Sequence, residues 1–253
     1  MYLWRRLATP QWWIDNEESL RAQFGTKLTV IEQLNRRRLQ IEVACGSPRA
    51  PKQFGGRVKK LPRDWLQQIL GKQKTQPLKV GNRKLIIPAG AAFGTGAHAT
   101  TAMSLRLLEH VTQRWEPGWS LVDLGTGSGI LALAARFLGA GRVVAIDVDP
   151  VAVSAAKENA RRNKIDSVDF RVADVRRWKF PRSIDIISAN LFSELLIEIL
   201  PKLRASYYLI LSGVLRIQER ELRRALRSHK IDIIEVCRRG KWVAVAAKTN
   251  LTR

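Results

Sequence analysis

The sequence predicts an α/β protein whose main part is a doubly wound, mostly parallel sheet, preceded by a small α+β domain. Three observations carry this prediction. From about residue 90 onward, short apolar segments alternate with helical segments of about ten residues or more, as in βαβ units. A glycine-rich turn follows the first of these apolar segments. The first 60 residues instead alternate apolar and polar side chains, which is typical of half-buried strands.

Size and composition limit the class of protein. The chain has 253 residues, of which 45% are hydrophobic, so it holds enough apolar material for a packed core. Its two cysteines, Cys45 and Cys237, are far apart in sequence, which excludes a disulfide scaffold and a cysteine-based metal site. No apolar stretch approaches the length of a membrane span, and the first residues do not form a signal peptide. We therefore expect a cytoplasmic monomer without membrane or metal contacts.

The first domain is predicted over residues 1–60. After a short apolar start at Tyr2-Leu3-Trp4, the pattern predicts a helix over Glu17–Phe24 and two strands over Lys27–Leu34 and Arg38–Ala44. Residues 61–89 are expected to be a linker with a short helix at 62–72, which Pro62 begins and Gly71 ends.

The second domain is predicted over residues 90–253, as a regular alternation of helices and strands. The expected helices are Thr100–Val111, Ile130–Leu138, Pro150–Arg162, Ser193–Leu203 and Gln218–Ser228. The expected parallel strands are Ser120–Leu124, Arg142–Ile146, Val168–Val172, Ile184–Ala189 and Tyr207–Ser212. A final hairpin, Lys230–Cys237 with Lys241–Lys248, is expected at the edge of the sheet.

The glycine-rich turn Gly125-Thr-Gly127-Ser-Gly129 joins a predicted strand directly to a predicted helix. Glycine lets the backbone approach a ligand closely, and the free N–H groups at a helix N-terminus favour a nucleotide-like ligand. Ile130 stands where a dinucleotide fingerprint has Gly or Ala, which argues against NAD. No Gly-Lys-Ser/Thr follows, which excludes a P-loop. Alone, such a turn is more often an ordinary strand-to-helix connection.

Four polar residues near strand ends turn this loop into a candidate cofactor site. Asp123 precedes the loop, and Asp147 ends the next strand, where an acid suits the ribose hydroxyls. Asp174 follows the third strand and is a candidate for the adenine amino group, although it is also a candidate loop or cap acid. Asn190 ends the fourth strand, where it is a candidate for the active site or for a helix N-cap. Because carboxylates also favour a cationic sulfonium, the set indicates S-adenosylmethionine, with Gly125 and Gly127 at the cofactor.

With these motifs, the segment Phe93-Gly-Thr-Gly-Ala-His98-Ala-Thr100-Thr101 and the later Leu-Ile-Leu-Ser-Gly-Val-Leu strongly resemble the PrmA family of bacterial ribosomal protein L11 methyltransferases. The resemblance covers roughly residues 62–250. It implies a class I, Rossmann-like methyltransferase domain behind a small substrate-recognition domain, and methylation of lysine side chains and an N-terminal amine. The family's cofactor contacts correspond to Thr101, Gly125, Asp147 and Asn190.

The chain departs from this family in three respects. The N-terminal domain matches poorly, the segment 85–90 lacks a stretch that many members carry, and family members are commonly acidic. Here 44 basic residues oppose 22 acidic ones, giving a net charge of +22. About 18 basic and 6 acidic residues lie in the first 90 positions. We therefore expect contact with ribosomal RNA near the ribosomal protein substrate.

The expected reaction is attack of a neutral amine on the sulfonium methyl group, with Asn190 orienting the amine through its side-chain oxygen. Water is the expected proton acceptor, and His98 is a weaker candidate. Two alternatives stay open: an RNA or small-molecule methyltransferase on the same domain, and a non-catalytic ribosome- or RNA-binding protein. Leu191-Phe192 stands where some amino-methyltransferases have Pro-Pro-Tyr, which disfavours planar nitrogen substrates.

Overall fold

The computed structural model describes residues 2–24, 28–32, 38–49, 51–61, 77–88, 98–181, 184–203 and 206–250. The chain divides into two units, Met1–Lys72 and Gln73–Arg253. Two predicted features, the helix at 62–72 and the glycine-rich segment at 93–97, lie outside the described residues.

In its described residues, the first unit has a four-stranded antiparallel sheet in the order β2-β3-β1-β4 and one α-helix. Its elements are β1 Tyr2–Ala8, α1 Pro10–Phe24, β2 Leu28–Glu32, β3 Leu39–Cys45, a 3-10 turn at Lys52–Phe54, and β4 Arg57–Lys60. The apolar start of the chain is therefore a central strand. Helix α1 begins at Pro10, well before the predicted Glu17, because Thr9 accepts the Trp12 N–H at 3.2 Å and proline suits the first helical position.

Large side chains from three elements form the core of the first unit. Trp4 of β1 and Ile41 of β3 are fully buried, and they share one core with Leu20 and Phe24 of α1. The Trp4 indole N–H donates to the Gly55 carbonyl at 2.5 Å, so that burying this ring leaves no unsatisfied donor. Each such side chain contributes about 1.5–3 kcal/mol through burial.

The second unit holds a seven-stranded sheet in the order β12-β13-β11-β10-β7-β8-β9 and a separate two-stranded hairpin, β5-β6. The strands are β5 Leu78–Val80, β6 Arg83–Leu85, β7 Ser120–Leu124, β8 Arg142–Asp147, β9 Val168–Val172, β10 Ile184–Asn190, β11 Ser206–Leu215, β12 Ile231–Arg239 and β13 Trp242–Thr249. The helices are α2 Ala99–Thr112, α3 Ile130–Phe137, α4 Pro150–Arg162, α5 Ser193–Leu203 and α6 Glu219–Ser228. A 3-10 turn at Arg216–Gln218 precedes α6.

Five strands, from β9 to β11, are parallel, and β13 and β12 add an antiparallel edge. The predicted doubly wound sheet with an antiparallel tail is confirmed. From β7 the chain moves outward to β8 and β9, and it then returns to place β10 on the other side of β7. This reversal between β7 and β10 is a topological switch point, where open α/β sheets bind ligands at the carboxyl ends of their strands.

Apolar side chains cover both faces of this sheet. One core includes Leu107 and Leu108 of α2 and Leu133 of α3, and the other includes Leu200 of α5 and Leu226 of α6. Because both faces are covered, the central parallel strands β7 and β10 are almost continuously buried, whereas the edge strand β9 alternates apolar and charged residues.

The β5-β6 hairpin lies within the region predicted as a linker. Its Val80 and Leu85 are buried, and they belong to the core that contains α2 and α3. Immediately after the hairpin, the side chain of Asn163 accepts from the Ile86 N–H and donates to the Ile86 carbonyl, both at 2.8 Å. Residues 78–87 are therefore part of the second unit.

No helix in the described part of the chain has both the length and the apolar character needed to cross a membrane.

Candidate active site

A cavity of about 510 Å³ lies at the carboxyl ends of the parallel strands. Its polar lining includes His98, Thr100, Asp147, Asp174, Arg176 and Asn190. Its other lining residues are Gly125, Gly127, Val148, Val175, Leu191, Phe192, Leu195, Gly213 and Trp242. The volume lies within the range of small-molecule sites, which are mostly apolar with a few placed polar groups. The structure thus brings five of the predicted site residues, Gly125, Gly127, Asp147, Asp174 and Asn190, to one cavity.

The glycine loop follows β7. It needs glycine because its backbone has positive φ angles and because neighbouring atoms leave no room for a Cβ atom at Gly125 and Gly129. Gly125, Gly127 and Gly129 have φ angles of +68°, +55° and +81°, which L side chains rarely adopt. A Cβ atom at Gly125 would lie 2.4 Å from Cδ2 of Leu191. A Cβ atom at Gly129 would lie 3.0 Å from that of Ala156. These requirements place the loop backbone at the cavity wall, within reach of a ligand.

Asp123 lies beneath this loop rather than in the cavity wall. Its side chain is buried and accepts hydrogen bonds from the hydroxyls of Thr126, at 2.6 Å, and Ser188, at 2.7 Å. Burial raises the pKa of Asp123 to about 6, although the hydrogen bonds from Thr126 and Ser188 lower it. The carboxylate joins the loop to β10, because Ser188 lies on that strand.

Asp147 ends β8 and is half-buried at the cavity. Its Oδ2 accepts the Gly127 N–H at 2.9 Å, and its Oδ1 accepts the Asp149 N–H at 3.0 Å. Each carboxylate oxygen offers about two acceptor sites, so both oxygens retain capacity for a ligand hydroxyl. This residue therefore orients the glycine loop and also presents acceptors at the cavity.

Asp174 combines the two alternatives that its sequence position leaves open. Its Oδ1 accepts the Arg176 N–H at 2.9 Å, and its carbonyl accepts the Trp178 N–H at 2.9 Å, so it closes a turn after β9. It also lines the cavity, where Val148 and Val175 provide apolar surface nearby. The second carboxylate oxygen makes no hydrogen bond that competes with a ligand among the described residues.

Asn190 ends β10 and is held by a chain of hydrogen bonds. Its amide nitrogen donates to the Thr100 hydroxyl at 3.2 Å, and the same hydroxyl lies 2.8 Å from Nδ1 of His98. Helix α5 begins at Ser193, so Asn190 is not its N-cap. This hydrogen bond engages one of the two amide N–H groups and fixes the orientation of the Asn190 side chain at the cavity.

Thr101, which the family resemblance implies as a cofactor contact, does not line this cavity. Its side chain is buried, and its hydroxyl has no hydrogen-bond partner within the described ranges. The adjacent Thr100 lines the cavity instead.

Several cavity residues have no role in the sequence-based site, among them Trp242, Gly213 and Phe192. The Trp242 ring contacts His98 edge to face, with 5.3 Å between centroids. Trp242 arrives there because β13 pairs with β11, opposite Leu215, and a single sequence gives no signal for this pairing. Gly213 has a φ of +89°, and a Cβ atom there would lie 2.2 Å from the Leu191 carbonyl oxygen. The segment Leu-Ser-Gly-Val-Leu, which contains Gly213, is part of the resemblance to the PrmA family. That resemblance is the sequence feature that could have identified Gly213 as a site residue.

No group of three or more His, Cys, Asp and Glu side chains suited to a metal ion occurs among the residues that the structure describes.

Comparison with known proteins gives a consistent result. The family model "Ribosomal protein L11 methyltransferase (PrmA)" matches residues 63–250. A ribosomal protein L11 methyltransferase of Symbiobacterium thermophilum is 37% identical over 193 residues, covering 68% of this chain and 62% of that protein. One from Pelobacter propionicus is 38% identical over 200 residues, covering 69% of this chain and 63% of that protein. The chain thus spans less than two thirds of the length of these relatives.

Among solved structures, the ribosomal protein L11 methylase of Lactobacillus delbrueckii subsp. bulgaricus is similar, with a TM-score of 0.62 and 29% identity. The match covers 70% of this chain and 92% of that one.

Proposed function

Since the chain belongs to the PrmA family of ribosomal protein L11 methyltransferases, we propose that it transfers methyl groups from S-adenosylmethionine to amines of ribosomal protein L11. The acceptors are lysine side chains, the N-terminal amine, or both. One observation carries this proposal: Asp147 and Asn190, from strands on opposite sides of β7, meet at one cavity beside the glycine loop.

The cavity suits S-adenosylmethionine in shape and in chemistry. We assign the ribose hydroxyls to Asp147 and the adenine amino group to Asp174, with Val148 and Val175 beside the adenine. The backbone at Gly125 and Gly127 permits close approach. Asp123 supports this site from below, through Thr126. When bound, the cofactor supplies a methyl group already activated by a cationic sulfonium.

Two threonines have separate places in this proposal. Thr101 has a buried hydroxyl without a hydrogen-bond partner among the described residues. Such a group destabilises the folded protein unless a ligand or another group forms a hydrogen bond with it. We assign it to the cofactor, as the family resemblance implies. Thr100 instead holds the amide of Asn190.

The protein's contribution to methyl transfer is alignment and exclusion of water. The Asn190 side-chain oxygen accepts a hydrogen bond from the acceptor amine, which directs the nitrogen lone pair away from the asparagine. The cavity also has an apolar lining, which includes Leu191, Phe192 and Trp242. An apolar environment lowers the pKa of a lysine amine and favours its neutral, nucleophilic form. Water accepts the released proton, because His98 Nδ1 is already engaged with Thr100.

The test incubates the protein with radiolabelled S-adenosylmethionine and separate samples of ribosomal proteins, free ribosomal RNA and whole ribosomal subunits. We expect label in ribosomal protein L11. Label in RNA alone would establish the RNA methyltransferase alternative and overturn this proposal. Cofactor binding without any transferred label would favour the non-catalytic alternative.

We further propose that the protein acts as a monomer in the cytoplasm and contacts ribosomal RNA near its substrate. The RNA contact is supported by the net charge of +22, which favours binding to a polyanion and repels a free basic protein. Light scattering in solution tests the monomer, and a dimer mass would contradict it.

A further inference from the structure

Beside the mouth of the cavity, four arginines form one stripe along the outer surface of the second unit. Arg216 lies in the 3-10 turn before α6, and Arg220, Arg224 and Arg227 follow on the helix. All four are exposed, and none forms an ion pair with a described residue. We call these four residues the arginine ridge.

The spacing of the ridge follows from the amphipathic character of α6. Leu222 and Leu226 are fully buried on the face that packs against the sheet. Arg220, Arg224 and Arg227 are four and then three residues apart, so they share the opposite face. From Arg220 to Arg227 the helix rises by about 10 Å.

Two acids lie in the first turn of α6, Glu219 and Glu221, and neither forms an ion pair with a ridge arginine among the described residues. Glu219 pairs with Arg238, at 2.5 Å, and with Arg223, at 2.8 Å, and neither arginine belongs to the ridge. These two partners hold the pKa of Glu219 at about 2, so its charge is fully engaged. Like charges four residues apart destabilise a helix by about 0.2–0.5 kcal/mol per pair. Intramolecular stability therefore does not explain the ridge, which suits an external anion.

The ridge begins at the cavity rim. The Arg216 N–H donates to the Lys241 carbonyl at 2.8 Å, and Lys241 is followed by the cavity residue Trp242. On the other side, the Gln218 side chain donates to Glu194 at 2.9 Å, which joins the turn to the first turn of α5. The ridge therefore begins close to Trp242 at the cavity, and α6 carries the other three arginines onward from that point.

We propose that the arginine ridge binds the phosphate backbone of RNA, independently of base sequence. Each strand of duplex DNA carries one charge per about 3.4 Å of axis, so the distance of about 10 Å from Arg220 to Arg227 corresponds to about three phosphate intervals. The ridge carries no aromatic side chain on which bases would stack, which favours backbone over base contacts. A basic substrate protein would be repelled here unless RNA accompanies it.

The experiment measures binding of a labelled RNA hairpin and a labelled single-stranded RNA to the full chain by fluorescence anisotropy. The test variant carries Arg220→Gln, Arg224→Gln and Arg227→Gln. The control carries Lys157→Gln, Arg161→Gln and Arg162→Gln, which remove the same charge from the exposed face of α4, where Arg161 and Arg162 pair with Glu158. Glutamine is nearly as good a helix former as arginine, so both variants should fold.

We expect the ridge variant to lose at least about tenfold in RNA affinity, whereas the control loses less than about threefold. For single-stranded RNA, the slope of log affinity against log salt should weaken by about 2, since each lost contact accounts for about 0.7. Equal losses in both variants would overturn the proposal in favour of a general charge effect. Equally tight binding of polyglutamate at the ridge would assign the surface to an acidic protein instead.

This readout needs no methyl transfer, so its failure is distinguishable from failure of the proposed function. Calorimetry with S-adenosylhomocysteine serves as a control for the cavity, and both variants should bind it as the unmodified protein does.

Discussion

The side-chain nitrogen of Asn190 lies 3.2 Å from the Thr100 hydroxyl, and this hydrogen bond joins the end of β10 to the first turn of α2. An asparagine amide has a donor end and an acceptor end, and engaging one N–H of the donor end fixes the orientation of the amide. The acceptor function proposed for Asn190 thus depends on a residue that need not touch the substrate.

Replacing Thr100 with Val removes the hydroxyl while keeping a β-branched side chain. We expect kcat to fall about tenfold, which corresponds to about 1.4 kcal/mol, because the Asn190 amide loses its fixed orientation. Cofactor affinity measured by calorimetry should change less than about threefold, and Thr100→Ser should restore most of kcat. A kcat unchanged in Thr100→Val would contradict the positioning role.

Replacing Thr101 with Val tests the neighbouring hydroxyl, which has no partner in the described structure. If this hydroxyl binds the cofactor, its loss should weaken S-adenosylmethionine binding about fivefold, equivalent to about 1 kcal/mol. The measurement is the dissociation constant from calorimetry. An unchanged constant would remove Thr101 from the cofactor site and leave Thr100 as the threonine of the cavity.

Asp147→Ala should weaken cofactor binding about 100-fold or more, since hydrogen bonds to a charged group contribute about 1.5–3 kcal/mol each. The change also removes the acceptor for the Gly127 N–H, which loosens the glycine loop. Asp169→Ala is the matched control, because this exposed carboxylate on β9 pairs with Arg171 outside the cavity. Equal affinities of the two variants for S-adenosylhomocysteine would refute the ribose assignment.

The raised pKa of Asp123 predicts how stability depends on pH. An unfolded aspartate titrates near pH 4, whereas the buried group titrates at about 6, so the folded state binds more protons between these values. The free energy of unfolding should therefore fall as the pH rises from about 4 to about 6. In Asp123→Asn this fall should be absent when urea unfolding is measured across the range. A fall of equal size in that variant would assign it to other groups.

Gly213→Ala should destabilise the protein by about 3 kcal/mol or more, because the new Cβ meets backbone at Leu191 and the φ angle is unfavourable. Gly240→Ala is the control, since Gly240 also has a positive φ, of +57°, but faces open space. The control should lose about 1–2 kcal/mol from conformation alone. Similar midpoints of thermal unfolding in the two variants would show that Leu191 moves aside easily.

Local patterns predicted most of the second unit. The apolar run of β7 and the Asp149-Pro150 start of α4 predicted these elements correctly, because burial and capping act over a few residues. In the first unit, the sequence predicted only a short apolar start where the structure has the full strand β1, because Arg5-Arg6 interrupts the alternation of apolar and polar side chains. The structure accommodates Arg6 by placing its guanidinium over the Trp12 ring and on the Phe54 carbonyl.

The sequence predicted the site residues that lie at strand ends. It missed the residues that reach the cavity only through pairing between strands far apart in sequence. Asp147 and Asn190 are recognisable because each ends a predicted strand. Trp242 enters the cavity only through the pairing of β13 with β11, a contact between segments far apart in sequence. Thr100 rather than Thr101 lines the cavity, and this depends on the exact phase of α2, which periodicity does not determine. A contact between Thr101 and the cofactor stays a prediction.

The position of β13 has a consequence for the order in which the sheet assembles. β12 precedes β13 in the chain, yet it reaches the sheet only through β13, which lies between β12 and β11. During synthesis, β12 therefore emerges before β13, and its backbone hydrogen-bonding groups stay unpaired until β13 has been made. The pairing of β13 with β11 is slower than local helix formation because it closes a larger loop. A newly made chain would hold the glycine loop and Asn190 for an interval before Trp242 completes the cavity wall.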